Sequence, residues 1–227
     1  MDDYLRKNHE YYEKGYEAEN IESYVFRFYG RILKHDFKMD GSNNEKILDF
    51  GCGAGSALKF FKSKGFNVHG ADISAKDIDK AKSIMPDIKD NFLIIDPKPK
   101  DDDIFFNGNF DFIISIQTIY FFNDTDMQTR LKTLYNMMKP GAYIYISMMG
   151  TQSYFYEYSK PVGDGLYEVN FSNDRIQYKN VYVNFTKDKE ELEKKFSMFK
   201  KIYIGHYDRD YRNEGSEFHY TFVGQKI

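Results

Sequence analysis

The stretch that most constrains this chain runs Lys46-Ile47-Leu48-Asp49-Phe50-Gly51-Cys52-Gly53-Ala54-Gly55-Ser56. A short apolar run ends at an acidic residue. Three glycines then alternate with small residues, and a helical pattern opens at Ala57, Leu58, Phe60 and Phe61. The segment reads as a buried strand, a tight turn and a helix start. Glycine lets backbone N–H groups approach a ligand with no Cβ in the way, and a helix start presents unpaired donors. Asp49 at the strand end can accept hydrogen bonds from a cationic or hydroxylated ligand. The spacing departs from the dinucleotide fingerprint G-x-G-x-x-G, because Ser56 stands where the third glycine belongs.

The surrounding sequence alternates. Strands are expected at 46–50, 66–71, 91–95, 110–115 and 142–148. Helices are expected at 55–64, 75–85 and 125–138, the last stopped by Lys139-Pro140-Gly141. This order predicts an α/β fold with a doubly wound, mostly parallel sheet. Residues 8–34 carry an aromatic helical pattern with a break near Gly15. Residues 151–186 are dense in Tyr, Phe and Asn and lack a helical period, so they read as a β-rich excursion with strands near 165–171 and 175–185. A helix at 187–197 and strands at 199–205 and 217–225 close the chain. One domain is expected: a helical cap over 1–40, a core over 46–150, the excursion over 151–186 and the closing elements over 187–227.

Composition narrows the function classes. A chain of 227 residues, 41% hydrophobic, can bury a sizeable core. Its net charge of -3 offers no excess of cations for a phosphate backbone, so no nucleic-acid partner is expected. No run reaches the roughly 18 apolar residues of a membrane span, and the charged N-terminus does not read as a signal peptide. The single cysteine, Cys52, cannot form an internal disulfide, which suits a cytoplasmic location. It reads as a small turn residue rather than a nucleophile. No cluster has metal-ligand spacing, and Asp101-Asp102-Asp103 reads as a solvated loop. The bias towards Lys, Asn, Ile, Tyr and Phe suits an AT-rich bacterial genome.

Three acidic residues end successive strands: Asp49, Asp72 and Asp96. In open parallel sheets ligands bind outside the carboxyl ends of the strands, and an acid one βα unit beyond the glycine turn is where a ribose is received. With Val68-His69-Gly70-Ala71-Asp72-Ile73-Ser74, Phe110-Asp111-Phe112-Ile113-Ile114-Ser115 and Lys139-Pro140-Gly141-Ala142-Tyr143-Ile144, the segment 47–148 resembles the class I S-adenosylmethionine-dependent methyltransferases. The resemblance covers about half the chain closely. It implies a seven-stranded, Rossmann-like sheet with an antiparallel last strand, and S-adenosylmethionine as cofactor, released as S-adenosylhomocysteine. It implies that Asp49, Cys52 and the Gly51, Gly53 and Gly55 backbone hold the methionine part. Asp72 would accept the ribose hydroxyls, Ile73 would pack on adenine and Asp96 would accept the adenine amino group. Ser115, Ile116 and Gln117 would line the methionyl end, and the helix carrying Tyr11, Tyr12 and Tyr16 would cap the cofactor. The position after the fourth strand where many relatives carry a His holds Phe121 here.

The acceptor has weaker signals. An oxygen acceptor profits from a base with a pKa near neutral, which suits His. His206 follows the sixth strand and His219 starts the seventh, so both are candidate bases. Tyr154, Phe155, Tyr156 and Tyr158 could form an aromatic wall, and Tyr120 is a further candidate for the acceptor. Arg175, Lys179 and Arg212, with Arg209, could pair a phosphate or carboxylate. The expected reaction is O-methylation of a small anionic acceptor: phosphorylated, nucleotide-linked or a sugar, as in bacterial surface-polysaccharide biosynthesis. The alternatives are a protein or nucleic-acid methyltransferase, an NAD-binding oxidoreductase and a noncatalytic cofactor-binding protein. Oligomeric state leaves no mark in the sequence.

Overall fold

In the computed structural model, β1 (Lys46–Phe50) lies at the centre of a sheet, its last four residues buried. The structure describes residues 2–13, 21–172, 177–210 and 215–227. β1 pairs in parallel with β2 (Asn67–Asp72) and β4 (Phe110–Ser115). β3 (Phe92–Ile94) adds outside β2, and β5 (Met138–Met149) adds outside β4, both parallel. β10 (His219–Gln225) enters between β5 and β9 (Lys200–Tyr207), antiparallel to both. The seven strands therefore run in the order β3-β2-β1-β4-β5-β10-β9. The strand order reverses at β1 and β4, the place where such sheets bind ligands.

Helices cover both faces, and successive residues of β1 point to opposite sides. Leu48 and Phe50 join one core with Leu131 and Leu134 of α5 (Asp124–Met137). Ile47 joins the other with Leu58 and Phe61 of α3 (Ser56–Ser63) and Ile78 of α4 (Ala75–Ile84). Helix starts are set by side-chain caps. Ser74 Oγ accepts the Asp77 N–H at 3.2 Å, and Asn123 Oδ1 accepts the Asp126 N–H at 2.7 Å. In α7 (Lys189–Lys195), Asp188 Oδ1 accepts the Glu191 N–H at 2.9 Å.

The N-terminal helix α1 (Asp3–Tyr12) is tied down over the carboxyl edge of the sheet. Buried Asn8 donates to the Tyr182 carbonyl at 2.9 Å and to the Phe121 carbonyl at 3.2 Å, and its Oδ1 accepts the Tyr182 N–H at 2.8 Å. Tyr4 donates to buried Asp126, which also pairs with Lys98 at 2.8 Å. A second helix, α2 (Ser23–Phe28), continues into a π turn over Tyr29–Leu33.

Three expectations shift. The Lys139-Pro140-Gly141 stop lies inside β5, which already pairs Met138 with Phe110 before a register shift. Proline is tolerated at such an irregular strand start because no ladder donor is lost. The helix expected at 187–197 is trimmed to Lys189–Lys195. The excursion holds α6 (Tyr154–Glu157) and an antiparallel sheet of β6 (Ser159–Gly163), β7 (Leu166–Ser172) and β8 (Gln177–Val183). β6 has no strand pattern in the sequence. β6 is an exposed edge strand, where the N–H that Pro161 lacks is tolerated. No helix among the described residues is long and apolar enough to cross a membrane.

Candidate active site

At the carboxyl edge of β1, β2 and β4 lies a cleft of about 560 Å³, within the range of roughly 300–1,000 Å³ usual for small-molecule sites. Its floor is the glycine turn. Gly51, Gly53 and Gly55 all have positive φ, at 81°, 49° and 80°. Gly51 is fixed by crowding, since a Cβ there would stand 2.1 Å from Thr118 Oγ1. Gly53 differs: a Cβ there would meet nothing within 4 Å. The space before its backbone belongs to the cleft. Gly55 is the N-cap of α3 and, unlike Gly51 and Gly53, does not line the cleft: a Cβ there would stand 2.8 Å from the Met85 side chain.

Asp72, at the end of β2, braces this turn. Its Oδ2 accepts the Gly53 N–H and its Oδ1 the Ser74 N–H, both at 2.8 Å. Burial raises its pKa, and these backbone donors oppose the rise. Asp49 lines the cleft, and burial with the nearby Asp72 charge pushes its carboxyl up to about 8. No cation pairs with Asp49 among the described residues. A buried carboxylate with no counter-charge, beside an open glycine cradle, fits a ligand that brings its own cation. The residues therefore fit the amino-acid end and the ribose of an adenosyl sulfonium. Ile73, Ile95 and Pro97 add apolar walls beside Asp72.

The turn after β4 forms the next wall with Ile116, Gln117 and Thr118. Gln117 has φ 54°, uncommon for a residue with a side chain, and its N–H donates to Ser147 Oγ at 2.7 Å. Such strain concentrates at functional sites. Beyond it the cleft is aromatic, lined by Tyr11, Tyr12, Tyr24, Tyr120, Phe121, Tyr154 and Phe155. Arg209, also in the lining, donates to Glu22 at 3.0 Å and to Glu217 at 2.7 Å.

The cleft brings together Tyr11, Asp49, Gly51, Cys52, Gly53, Asp72, Ile73, Ile116, Gln117, Tyr120, Tyr154 and Arg209 of the sequence candidates. Tyr16, Arg175 and Arg212 lie outside the described residues. Several other candidates stand elsewhere. The Asp96 carboxylate accepts the Lys98 N–H at 2.9 Å and pairs with Lys100, so it is turned into its own loop while Ile95 and Pro97 line the cleft. Ser115 is fully buried beneath the turn. Tyr156 packs on Tyr167 and Phe185, at 5.3 and 5.2 Å between ring centres.

Neither candidate base lines the cleft. His206 is exposed and stacks on Phe218 at 5.2 Å. Strand alternation puts it on the face opposite Tyr207, which pairs with His219. His219 is completely buried against Tyr207, its Nδ1 3.1 Å from the Glu217 carbonyl, and burial lowers its pKa to about 3. A ring that holds a proton so weakly is a poor base at neutral pH. The Cys52 thiol is pushed well up by burial and is no nucleophile. The sequence reading missed Glu22, Tyr24 and Glu217, whereas Phe155 of its aromatic wall does line the cleft. Glu22 precedes α2, and Glu217 sits in a charged loop. Neither has a periodic signal, and only the fold closes Arg209 between them.

The comparisons agree with this geometry. Residues 19–192 match the family described as Methyltransferase domain. No curated protein matches the sequence. A structure of an S-adenosylmethionine-dependent methyltransferase from Methanosarcina mazei is similar at TM-score 0.67 and 18% identity, covering 92% of this chain and 99% of that one. A protein from Pyrococcus horikoshii OT3 is similar at TM-score 0.66 and 22% identity, covering 96% and 99%. The N-methyltransferase NodS from Bradyrhizobium japonicum, in complex with S-adenosylhomocysteine, is similar at TM-score 0.62 and 11% identity, covering 99% of both chains. With a family match spanning most of its length and these motifs on this sheet, the chain belongs to the methyltransferase-domain family and is a class I S-adenosylmethionine-dependent methyltransferase.

Proposed function

We propose that the chain moves a methyl group from S-adenosylmethionine to a small molecule held in the aromatic half of the cleft. The observation that carries this reading is the continuity of one cleft, from the glycine turn and strand-end acids to the ring of tyrosines and phenylalanines. In this reading Asp49 and the Gly51–Gly55 backbone hold the methionyl group, and Asp72 accepts the ribose hydroxyls. Ile73, Ile95 and Pro97 enclose the adenine, and Tyr11 and Tyr12 close over it. The donor supplies an electrophilic methyl. The protein aligns the acceptor with it and excludes water.

An anionic acceptor, and with it O-methylation of a surface-polysaccharide precursor, requires cations such as Arg175, Lys179, Arg209 and Arg212 at the cleft. Of these the described cleft holds Arg209 alone, and two carboxylates already engage it. Among the described residues, five acids line the cleft against this one guanidinium: Glu22, Asp49, Asp72, Asp77 and Glu217. That balance supports neither an anionic acceptor nor a nucleic-acid strand.

The test combines turnover with one variant. Purified protein with S-adenosylmethionine and a panel of small amines, alcohols and acids should release S-adenosylhomocysteine in step with a methylated product. Gly53→Ala places a methyl in the cradle at positive φ. It should cost only about 1–2 kcal/mol of stability, yet weaken S-adenosylmethionine binding by roughly tenfold or more. Binding of the donor without turnover on any acceptor would leave a noncatalytic binding protein as the better reading.

A further inference from the structure

The geometry points to an amine as the acceptor: a small molecule with a planar or apolar body and an amino group, received by Glu217 and Glu22 beside the aromatic lining. This rests on the reading of the cleft as a methyltransferase site. Three observations carry it.

The first is charge. Arg209 spends its guanidinium on Glu22 at 3.0 Å and Glu217 at 2.7 Å, so the cluster of three keeps one net negative charge when all are ionised. An anion brought there would meet a second carboxylate for every cation. An ammonium would complete the balance.

The second is placement. Glu217 is fixed from two directions, its N–H donating to the Arg209 carbonyl at 2.7 Å and its neighbour Ser216 accepting the Tyr154 N–H at 2.8 Å. Its side chain is about a quarter exposed and borders the cleft with Tyr24, Tyr120 and Tyr154. Aromatic lining around a carboxylate is chemistry suited to a cation.

The third is proton handling. Burial raises the Glu217 pKa, with Arg209 opposing it, so this carboxylate can hold a proton nearer neutrality than a surface glutamate. The bound ammonium gives its proton to Glu217. The freed nitrogen pair bonds to the methyl carbon while the carbon–sulfur bond breaks, its electron pair staying on sulfur as S-adenosylhomocysteine. The methylated nitrogen leaves as an ammonium, and the first proton passes from Glu217 to solvent.

The experiment is calorimetric titration of protein saturated with S-adenosylhomocysteine, using three isosteric probes: phenethylamine, 2-phenylethanol and phenylacetate. The amine should bind at least about tenfold more tightly than the alcohol, and the acid more weakly than either. Glu217→Gln should lower amine affinity by about tenfold or more and leave that of 2-phenylethanol and S-adenosylhomocysteine within about twofold. Glu22→Gln should do the same to a smaller extent, guarding against a folding defect peculiar to one variant. Failure of the wild-type protein to bind S-adenosylhomocysteine would sink the methyltransferase reading itself. Normal binding of it with no preference for the amine, whether the three probes bind alike or none binds, would overturn the amine inference alone. So would an amine affinity unchanged in both variants.

Discussion

Asp72→Ala should lose S-adenosylmethionine binding by roughly 100-fold or more, the loss of two charge-assisted hydrogen bonds at about 1.5–3 kcal/mol each. The position has two duties. Its carboxylate is proposed to accept both ribose hydroxyls, and it accepts the Gly53 and Ser74 N–H groups that shape the floor of the cleft. Alanine leaves these two donors without their partner, so the ligand-free protein should also melt a few degrees lower. Asp72→Asn keeps one acceptor oxygen and should fall between. Calorimetry with S-adenosylhomocysteine, alongside a thermal melt, separates the two duties. Unchanged affinity in the alanine variant would remove Asp72 from the site.

Asp49→Asn should move stability and binding in opposite directions. The Asp49 carboxyl, pushed up to about 8 by burial and by Asp72, differs strongly from an unfolded aspartate near 3.9. Between those values the folded protein holds a proton that the unfolded chain has released. Stability contributed by this group is therefore fully present below about pH 4 and is lost as pH rises towards 8. Asparagine removes that dependence. The ligand-free variant should match the wild type near pH 4 and exceed it at pH 8 by at least about 1 kcal/mol, some 2–4 °C in Tm. Binding should suffer, because the carboxyl that holds its proton in the ligand-free protein can release it to pair with the ligand's ammonium group, and asparagine cannot become that anion. A tenfold or greater loss of S-adenosylmethionine affinity is expected. A stability gain at the expense of function marks a residue kept for its ligand. Equal melting curves at both pH values, with unchanged affinity, would contradict this assignment.

The glycine-turn half of the cleft was legible in the sequence because local rules govern it. A glycine turn after a buried strand has few other uses, and Gly51, Gly53 and Gly55 take the left-handed backbone that their identity anticipates. Asp49 and Asp72 follow from the same strand-turn-helix unit. Asp96 shows the limit of that logic. It ends its strand on the expected edge, but its carboxylate turns to the N–H of Lys98 two residues on, a local alternative always open to Asp. The aromatic half was not legible, because it is assembled from α1, α2, the excursion and the loop before β10. Side-chain direction decided the histidines. His206 and His219 both reach the ligand edge, but pairing places one on the far face and the other inside the core. A sequence reading places residues on strands and leaves their facing to the register.

The central claim is that this strand-end cleft is built for an adenosyl donor carrying an amino-acid cation. The direct measurement is calorimetric titration of the wild-type protein with S-adenosylmethionine, S-adenosylhomocysteine and NAD in parallel. The account requires micromolar binding of both adenosyl ligands and none of NAD. Binding of NAD alone, or of none of the three, would contradict it.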